Sequence, residues 1–542
     1  MKKKHLNYSN IKNIPVKFIP IMFLVYLSIN ILSLTLPLAM KKIYGSIIVS
    51  KSEESLRFII ILVLVALFFE SVMKRLKDSS SKWIACKYEY FLSVFLMEKM
   101  LNSFPELVSN RNHINDLEKF NSVPRLASFY STRYYQIFID LPFSLLFLYL
   151  IYVFGGPIVL VPITLSLVYV ILLTIISTRY FKNRSSELES NDSLINQLTE
   201  TLEKIHLVKG AGIEESQITK YEEKLEQLTY STYISNKYDA MPRILSSNFS
   251  QINLFAILVV GGIFVSYNQI TFGAITACAM LGGRAISPVI SIMTQFFQKK
   301  DIQLINERIE DIINLPEQYS EDIPPFPDDI SGLIELVNLE FTNIQSHNKE
   351  YISYKIPSGT LLHIDPSDFL SYKDIIHKIS GQKELSSGKV LIDSLDINLW
   401  DMSTLKGKIE YLSETVKLYK GSVLDNITYF NKKKIQNAYT ASAITGLDTI
   451  ISQLPEGFET QIDSFSSNYM SPAFMQRLNL TRAFVERPRI LILDRIDESM
   501  DKDTLSIFKW LLDSFKGTLT IIMVTQNEDF IKLSDQSLNM KG

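Results

Sequence analysis

Hydrophobic residues follow two different rhythms along this chain. Over the first 300 positions they come in unbroken runs of bilayer length: Phe18–Met40, Phe58–Met73 interrupted only by Glu70, Ile137–Phe154, Ile158–Ser177, Ile252–Tyr267 and Phe272–Phe297. Gly155, Gly156 and Pro157 join the third and fourth runs as a tight hairpin, and Asn268 and Gln269 lie between the last two. The pattern predicts six membrane spans. Two longer connecting segments, Lys74–Arg133 and Arg179–Gln251, are rich in Lys and Arg yet keep helical spacing, with Leu198, Leu202, Ile205 and Val208 on one face. Spans that continue as helices beyond the bilayer give this pattern. The polar stretch Asn314–Asp329 has four prolines and reads as a linker. Beyond it the rhythm shortens. The runs Ile334–Phe341, Gly359–Asp365, Lys389–Ile392, Ile409–Leu412, Ile490–Asp494 and Leu519–Thr525 alternate with helical patterns. That predicts an α/β fold around a largely parallel sheet. The expected domains are 1–313, helical and membrane-spanning, then the linker 314–329, then 330–542.

Composition agrees with this division. A chain of 542 residues is too long for one ordinary core. A hydrophobic share of 47% with mean hydropathy +0.12 fits a membrane half joined to a soluble half. The net charge of -2 gives no case for nucleic-acid binding. Cys86 and Cys278 have neither metal-ligand nor redox spacing and read as small apolar residues. The start, MKKKH, is basic, and the first apolar run is too long for a signal-peptide core, so it is expected to be a retained span. The positive-inside rule places the long basic segments and both termini in the cytoplasm. Lys41 and Lys42 lie on the wrong side of that scheme, partly offset by Glu53 and Glu54. Glu70, Asp140 and Arg284 are the ionisable residues within spans, and such groups are costly in lipid. Asp140 lies near a span's start and is expected at the interface. Arg284, mid-span in GGRAISP, is the candidate for a translocation-path or interface role.

The chemistry gathers around RILILDRIDESMD, Arg489–Asp501. Four apolar residues run into Asp494, as a buried parallel strand does when it offers a carboxylate at its carboxyl end. In a nucleotide-hydrolysing domain that carboxylate holds Mg²⁺ and the next residue is usually a Glu that positions water. Here the next residue is Arg495. The order of elements, with LPLAMKKIYGSIIVSKSEESL, FIDLPFSLLFL and ITFGAITACAMLGGRAISPV in the first half and LWDMSTLKGKIEYLSETVKLYKGSVLDNI and RAFVERPRILILD in the second, resembles the ABC exporters. The membrane-half segments are similar to the type I secretion subgroup, which exports proteins or peptides through the inner membrane of Gram-negative bacteria. The resemblance covers nearly the whole chain and implies six spans followed by a P-loop-type nucleotide-binding domain.

The catalytic motifs of that family are another matter. Phosphate cradling needs a glycine-rich turn whose N–H groups hold the phosphates, a Lys on the β/γ oxygens and a hydroxyl on Mg²⁺. The family frame places that turn at Pro366–Asp374, PSDFLSYKD, which has no glycine. The Lys position holds Tyr372, and Lys373 and Asp374 stand where hydroxyl residues belong. Asp368, Phe369 and Leu370 would block close backbone approach, and Asp368 and Asp374 would repel a phosphate. Ser371 completes the turn. The adenine-stacking position is Asn343, with Phe341 nearby as a core residue. The glutamine that senses the γ-phosphate aligns with Glu414, which could still bind a cation. The signature Leu-Ser-Gly-Gly-Gln aligns with Met470–Phe474, MSPAF. Ser471 remains, Pro472 removes a donor, and the segment is expected at a helix start. The last switch residue, a His, aligns with Gln526, which cannot carry its charge. Asp494 and Asp501 are the surviving acids, Asp494 being the one candidate for Mg²⁺. No GxxxxGK followed by Ser or Thr occurs anywhere.

The resemblance therefore implies an exporter frame whose nucleotide groups have been exchanged, with no cofactor or weak ATP and Mg²⁺ binding, and hydrolysis absent or very weak. The expected role is a silent half-transporter in the bacterial inner membrane, in a homo- or heterodimer with another half, with a periplasmic adaptor as a further partner. The alternative is a non-transporting scaffold, receptor or immunity protein of exporter descent. An ordinary ATP-driven exporter would require a different motif alignment. The chain carries no amino-terminal peptidase domain, so leader-peptide cleavage is not expected of it. A neighbouring gene for a competent half or an adaptor would separate the first two readings.

Overall fold

A computed structural model describes residues 18–109, 111, 113–318, 324–327, 329–342, 349–462 and 470–539. The chain divides into two compact units, Met1–Met100 with Asn112–Leu315, and Leu101–Arg111 with Pro316–Gly542.

The first unit is all helical. Five helical stretches among the described residues are long and apolar enough to cross a membrane: Pro20–Ile47, Glu53–Leu101, Asp140–Glu203, Glu214–Ser266 and Phe272–Phe297. The third runs through two helices, most of Tyr134–Gly155 and all of Leu160–Glu203, separated by a 3₁₀ turn at Gly156–Val159, and so covers two of the predicted spans. Gly156 has φ +57, a left-handed backbone that costs glycine nothing. Tyr134–Gly155 packs on Phe272–Ile313, and Leu160–Glu203 packs on Glu214–Ser266. The turn reverses the chain, and the apolar faces beyond it find other partners. Buried side chains set the contacts: Phe147, Ile151, Ile257 and Leu281 in one cluster, Tyr169, Leu173, Phe249 and Phe297 in another. Cys278 is fully buried in the first of these and is a packing residue. Gly273 allows a close approach, since a Cβ there would lie 2.4 Å from the Lys41 carbonyl oxygen. Lys41 itself lays its ammonium 3.5 Å from the Phe154 ring centre, which accounts for a cation at that end of a span.

The second unit is α/β. Its strands are β1 Ile334–Thr342, β2 Lys349–Ile356, β3 Leu361–Ile364, β4 Lys389–Ile392, β5 Leu395–Asp396, β6 Ile409–Ser413, β7 Gly421–Ser422, β8 Gln461–Ile462, β9 Ile490–Asp494, β10 Thr520–Val524 and β11 Gln536–Leu538. A five-stranded sheet in the order β11-β3-β10-β9-β6 is parallel throughout. β9 and β10 are buried at every position, as strands covered on both faces must be. Two predicted strands lie elsewhere. β1 and β4 pair antiparallel with each other and with β2 and β5 in a second, four-stranded sheet. Ile334, Leu336, Ile364, Ile492 and Ile522 belong to one core between the sheets. Phe326, within the Pro-rich stretch read as a linker, is buried in that same core and meets Trp400 edge-on at 5.6 Å. A separate cluster of helices, built on Val423, Ile427, Phe474 and Leu478, completes the unit.

Candidate functional site

The parallel sheet decides where the site lies. β3 ends at Ile364, and the chain turns through Asp365, Pro366 and Ser367, with the Asp365 carboxylate accepting the Ser367 N–H at 2.9 Å. It then enters the helix Phe369–Ile379. β9 and β6 end beside each other, with Asp494 opposite Ser413. The strand ends therefore bring together residues of positions 365–383, 411–414 and 494–498.

The helix start is closed by its own side chain. Asp368 is its N-cap, and the carboxylate accepts from the Ser371 N–H at 3.4 Å and from the Ser371 hydroxyl. Ser371, fully buried, also bonds the Thr342 carbonyl at 3.1 Å. Leaving a negative group on a helix amino terminus is favourable, because the first N–H groups have no partner within the helix. Asp368 takes the place an anion would use.

Tyr372 is fully buried in the core. Burial, then the neighbouring Asp494 carboxylate, push its phenol up to about 12. Lys373 reaches across to Asp494 and forms an ion pair with Oδ2. The Tyr411 hydroxyl donates to the same oxygen at 2.6 Å, and the Lys373 ammonium also bonds the Tyr411 hydroxyl at 3.3 Å. Asp494 Oδ1 has no hydrogen-bond partner among the described residues. His377 Nε2 lies 3.4 Å from the Tyr411 hydroxyl. Burial, then the Lys373 charge, hold the His377 imidazole below its ordinary value. Burial and Asp494 push the Tyr411 phenol well up.

Asp374 corrects one expectation. It is not a bare charge facing a phosphate. It is buried and held by Lys378 at 2.9 Å and by Lys383 at 2.9 Å. Burial pushes its carboxyl up, and the two ammonium groups more than reverse that, leaving it below the usual range. Lys378 is itself almost fully buried and donates to the Glu340 carbonyl at 2.6 Å. Lys383 extends the chain of charges to Glu106 at 2.9 Å, in the Leu101–Arg111 stretch of the same unit.

The remaining predicted positions scatter. Arg495 adopts a left-handed backbone, φ +54, and its guanidinium forks onto Glu498 at 2.7 and 2.6 Å, which raises it further above its usual range. Glu414 is exposed, and its carbonyl accepts from Gln476 at 2.7 Å. Ser471 caps the helix Pro472–Glu486, accepting the Phe474 N–H at 3.1 Å, as expected of a helix start. Phe474 is a core residue. Asp501 caps the helix Lys502–Phe515 through the Thr504 N–H at 2.8 Å, and hydrogen bonding by the Thr504 side chain, then by that N–H, lowers its carboxyl. Gln526 is exposed after β10. Asn343 lies outside the described residues. In the helical unit, Arg284 meets Glu70 at 3.5 Å, and Glu70 also holds Lys74 at 2.7 Å, so the mid-span cation is one arm of a charge cluster. Asp140 accepts from Asn30 at 3.4 Å.

Tyr411, His377, Lys378, Lys383 and Glu498 were not among the sequence candidates. The i,i+4 spacing of Asp374 and Lys378 was a usable signal. The Tyr411 contact was not, since it depends on which strand lies beside β9.

Two family models match this chain: the ABC transporter transmembrane region over residues 19–287, and the ABC transporter domain over residues 375–496. The chain is an ABC exporter half-transporter. Among curated relatives of this exporter, the cyclolysin secretion/processing ATP-binding protein CyaB of Bordetella pertussis is 22% identical over 96% of this chain and 73% of that protein. The alpha-hemolysin translocation ATP-binding protein HlyB of Escherichia coli O157:H7 is 24% identical over 94% of this chain and 73% of that protein. A bacterial Atm1-family ABC exporter solved with ATP bound has the same fold, with a TM-score of 0.81 at 15% identity, over 97% of this chain and 93% of that one. The family's ABC domain binds ATP and Mg²⁺, and ABC exporters typically function as dimers.

Proposed function

We propose that this exporter half is the non-hydrolysing subunit of an export machine in the bacterial inner membrane, paired with a second half that turns over ATP. The observation that carries the reading is the Lys373–Asp494 ion pair, which places an ammonium on the carboxylate that would hold Mg²⁺. Asp368 on the helix start, buried Tyr372 in the Lys position and Arg495 in place of the catalytic Glu support it. In this reading the residues present do not fit a metal–triphosphate pair. Such a pair would need the Asp368 carboxylate displaced from its cap and the Lys373 charge withdrawn from Asp494. Losing one catalytic carboxylate costs on the order of several powers of ten in rate.

Two relatives are named for secretion or translocation of toxins, so a protein or peptide cargo is the first choice here. The positive charge of the long connecting segments supports a cytoplasmic side for both termini in this reading. A periplasmic adaptor would complete the path. The test is ATP hydrolysis by the full-length chain in proteoliposomes, alone and co-purified with any second half encoded beside it. The expected result is no rate above empty liposomes for the chain alone and a rate that depends on the second half. A steady rate from the lone chain, lost on mutation of Asp494, would overturn the proposal.

A further inference from the structure

The charged site lies at the carboxyl ends of the parallel strands. At the opposite end, just before β9 and β10, lies a cavity of about 440 Å³, bordered by the helices Ile435–Thr445, Pro472–Glu486 and Lys502–Phe515. Its apolar part is built on Phe484 and Phe515, stacked with ring centres 5.0 Å apart, together with Ile444 and Leu519. Phe484 packs against the sheet-side cluster of Leu491, Phe508 and Met523 and also against the helical cluster of Val423 and Phe474, so the cavity lies on the seam between the two. Exposed Arg487 and Arg489 supply its charge, and no lining residue is acidic. Arg487 donates to the Asn437 carboxamide oxygen at 3.5 Å, a neutral acceptor, and has no ion pair among the described residues. Arg489 lies 4.0 Å from an Asp329 carboxylate that is 99% exposed, a contact weakened by water. The backbone fixes both cations: the Arg487 N–H donates to the Phe484 carbonyl at 3.2 Å and the Arg489 N–H to the Lys408 carbonyl at 2.8 Å.

An apolar cavity of this size with a few convergent polar groups has the make-up of a small-ligand site. Two helices end here, at Glu486 and Phe515, and their carbonyl ends offset part of the arginine charge. What is left suits one negative charge better than a doubly charged phosphate. β9 and β10 are both inner strands of their sheet, so no free edge beside the cavity offers a peptide backbone its hydrogen bonds. We infer that this cavity binds a small monoanion, a carboxylic acid with a one- or two-ring apolar body. The rings lie on the phenylalanine pair, and the carboxylate takes the guanidinium groups of Arg487 and Arg489. A ligand there touches both clusters that Phe484 joins and holds the helical cluster against the sheet. The inference does not depend on whether the chain hydrolyses ATP, and either result for ATP leaves it standing.

The test uses the full-length chain in lipid nanodiscs and para-trifluoromethylphenylacetate as the probe, followed by fluorine NMR at neutral pH against empty nanodiscs. Wild type is expected to bind the probe saturably, with a dissociation constant of about 1 mM or less, and to unfold at a higher temperature in its presence. Arg487→Gln with Arg489→Gln, at two exposed positions, is expected to bind at least about tenfold more weakly. The uncharged amide of the probe is expected to show the same loss on wild type. Ile444→Trp keeps both charges but narrows the cavity, and it is expected to lose binding. No saturable binding by wild type, equal binding of acid and amide, or undiminished binding by either variant would overturn the inference. Binding of a peptide ending in Phe without binding of the free acid would overturn it as well, in favour of a chain-end site.

Discussion

At the start of the helix Phe369–Ile379 a buried carboxylate, Asp368, takes the Ser371 N–H; at the start of the helix Pro472–Glu486 an exposed hydroxyl, Ser471, takes the Phe474 N–H. Both caps satisfy an orphan donor, and the resemblance to exporters would put nucleotide at both. What surrounds them differs. Behind Asp368 lies a chain of paired charges, Lys373 with Asp494, and Asp374 with Lys378 and Lys383. Behind Ser471 lie Phe474 and Leu478 in an apolar cluster. The first end is filled with fixed charge. The second has lost one N–H donor, at Pro472, without gaining a charge that repels a phosphate. In a dimer of the family type, each site joins one chain's phosphate turn to the other's signature. On the proposed reading, this chain obstructs the site on its own turn, while the partner's site would meet Ser471 on a helix start weakened by Pro472. That reading favours a mixed dimer with one slow working site over a symmetric pair with none.

Three measurements bear on that difference, and the largest effect belongs to the charged end. Lys373→Ala leaves Asp494 buried and unpaired, which is expected to cost about 3–5 kcal/mol. For an α/β unit of this size that lowers thermal unfolding of the full chain by on the order of 10 °C. Adding Asp494→Asn should restore most of it, because the pair is then removed together. Loss of stability that is simply additive in the double variant would break the comparison. The two caps come next. Asp368→Ala should cost about 2 kcal/mol, the upper end for an N-cap, and Ser471→Ala about 0.5 kcal/mol. Equal losses would mean that burial and charge at Asp368 count for nothing. The smallest effect is on pH dependence. His377 is held below its ordinary value by burial and then by Lys373, so the unfolded chain takes up this proton first as pH falls. Its contribution is complete above about pH 6.5 and drains as pH drops toward the folded-state value. Thermal unfolding measured from pH 7.5 to 5.5 should therefore fall with acid, and less steeply in His377→Gln.

The parts of this molecule that could be read in the sequence are those in which neighbours along the chain decide the outcome. Bilayer-length apolar runs gave the helices, and the run Ile490–Leu493 into Asp494 gave a buried strand. The second sheet was not legible. β2, KEYISYKI, alternates polar with apolar side chains and pairs with β1 at the edge of that sheet, so it lacks the apolar run that marked the central strands. β1 and β4 were seen as strands, but a strand's pattern does not name its partner. At the site, each exchanged residue could be read in place: Tyr372, Arg495, Pro472 and Gln526 were all visible as substitutions. What they do in exchange was not. Lys373 and Asp494 are 121 positions apart, and Lys383 and Glu106 are 277 apart. Only the ends of β6 and β9, aligned in register, bring Tyr411 to the same carboxylate. Read from its own position alone, Asp374 is a repelling charge; its i,i+4 partner, Lys378, neutralises it in the fold.

The most direct measurement is equilibrium binding of ATP with Mg²⁺ to the purified full-length chain in detergent, by fluorescent nucleotide displacement. The account predicts no saturable, Mg²⁺-dependent binding up to millimolar ATP, since the helix start is capped by Asp368 and the Asp494 carboxylate is held by Lys373. Micromolar binding that requires Mg²⁺ and is abolished by Asp494→Asn would contradict it.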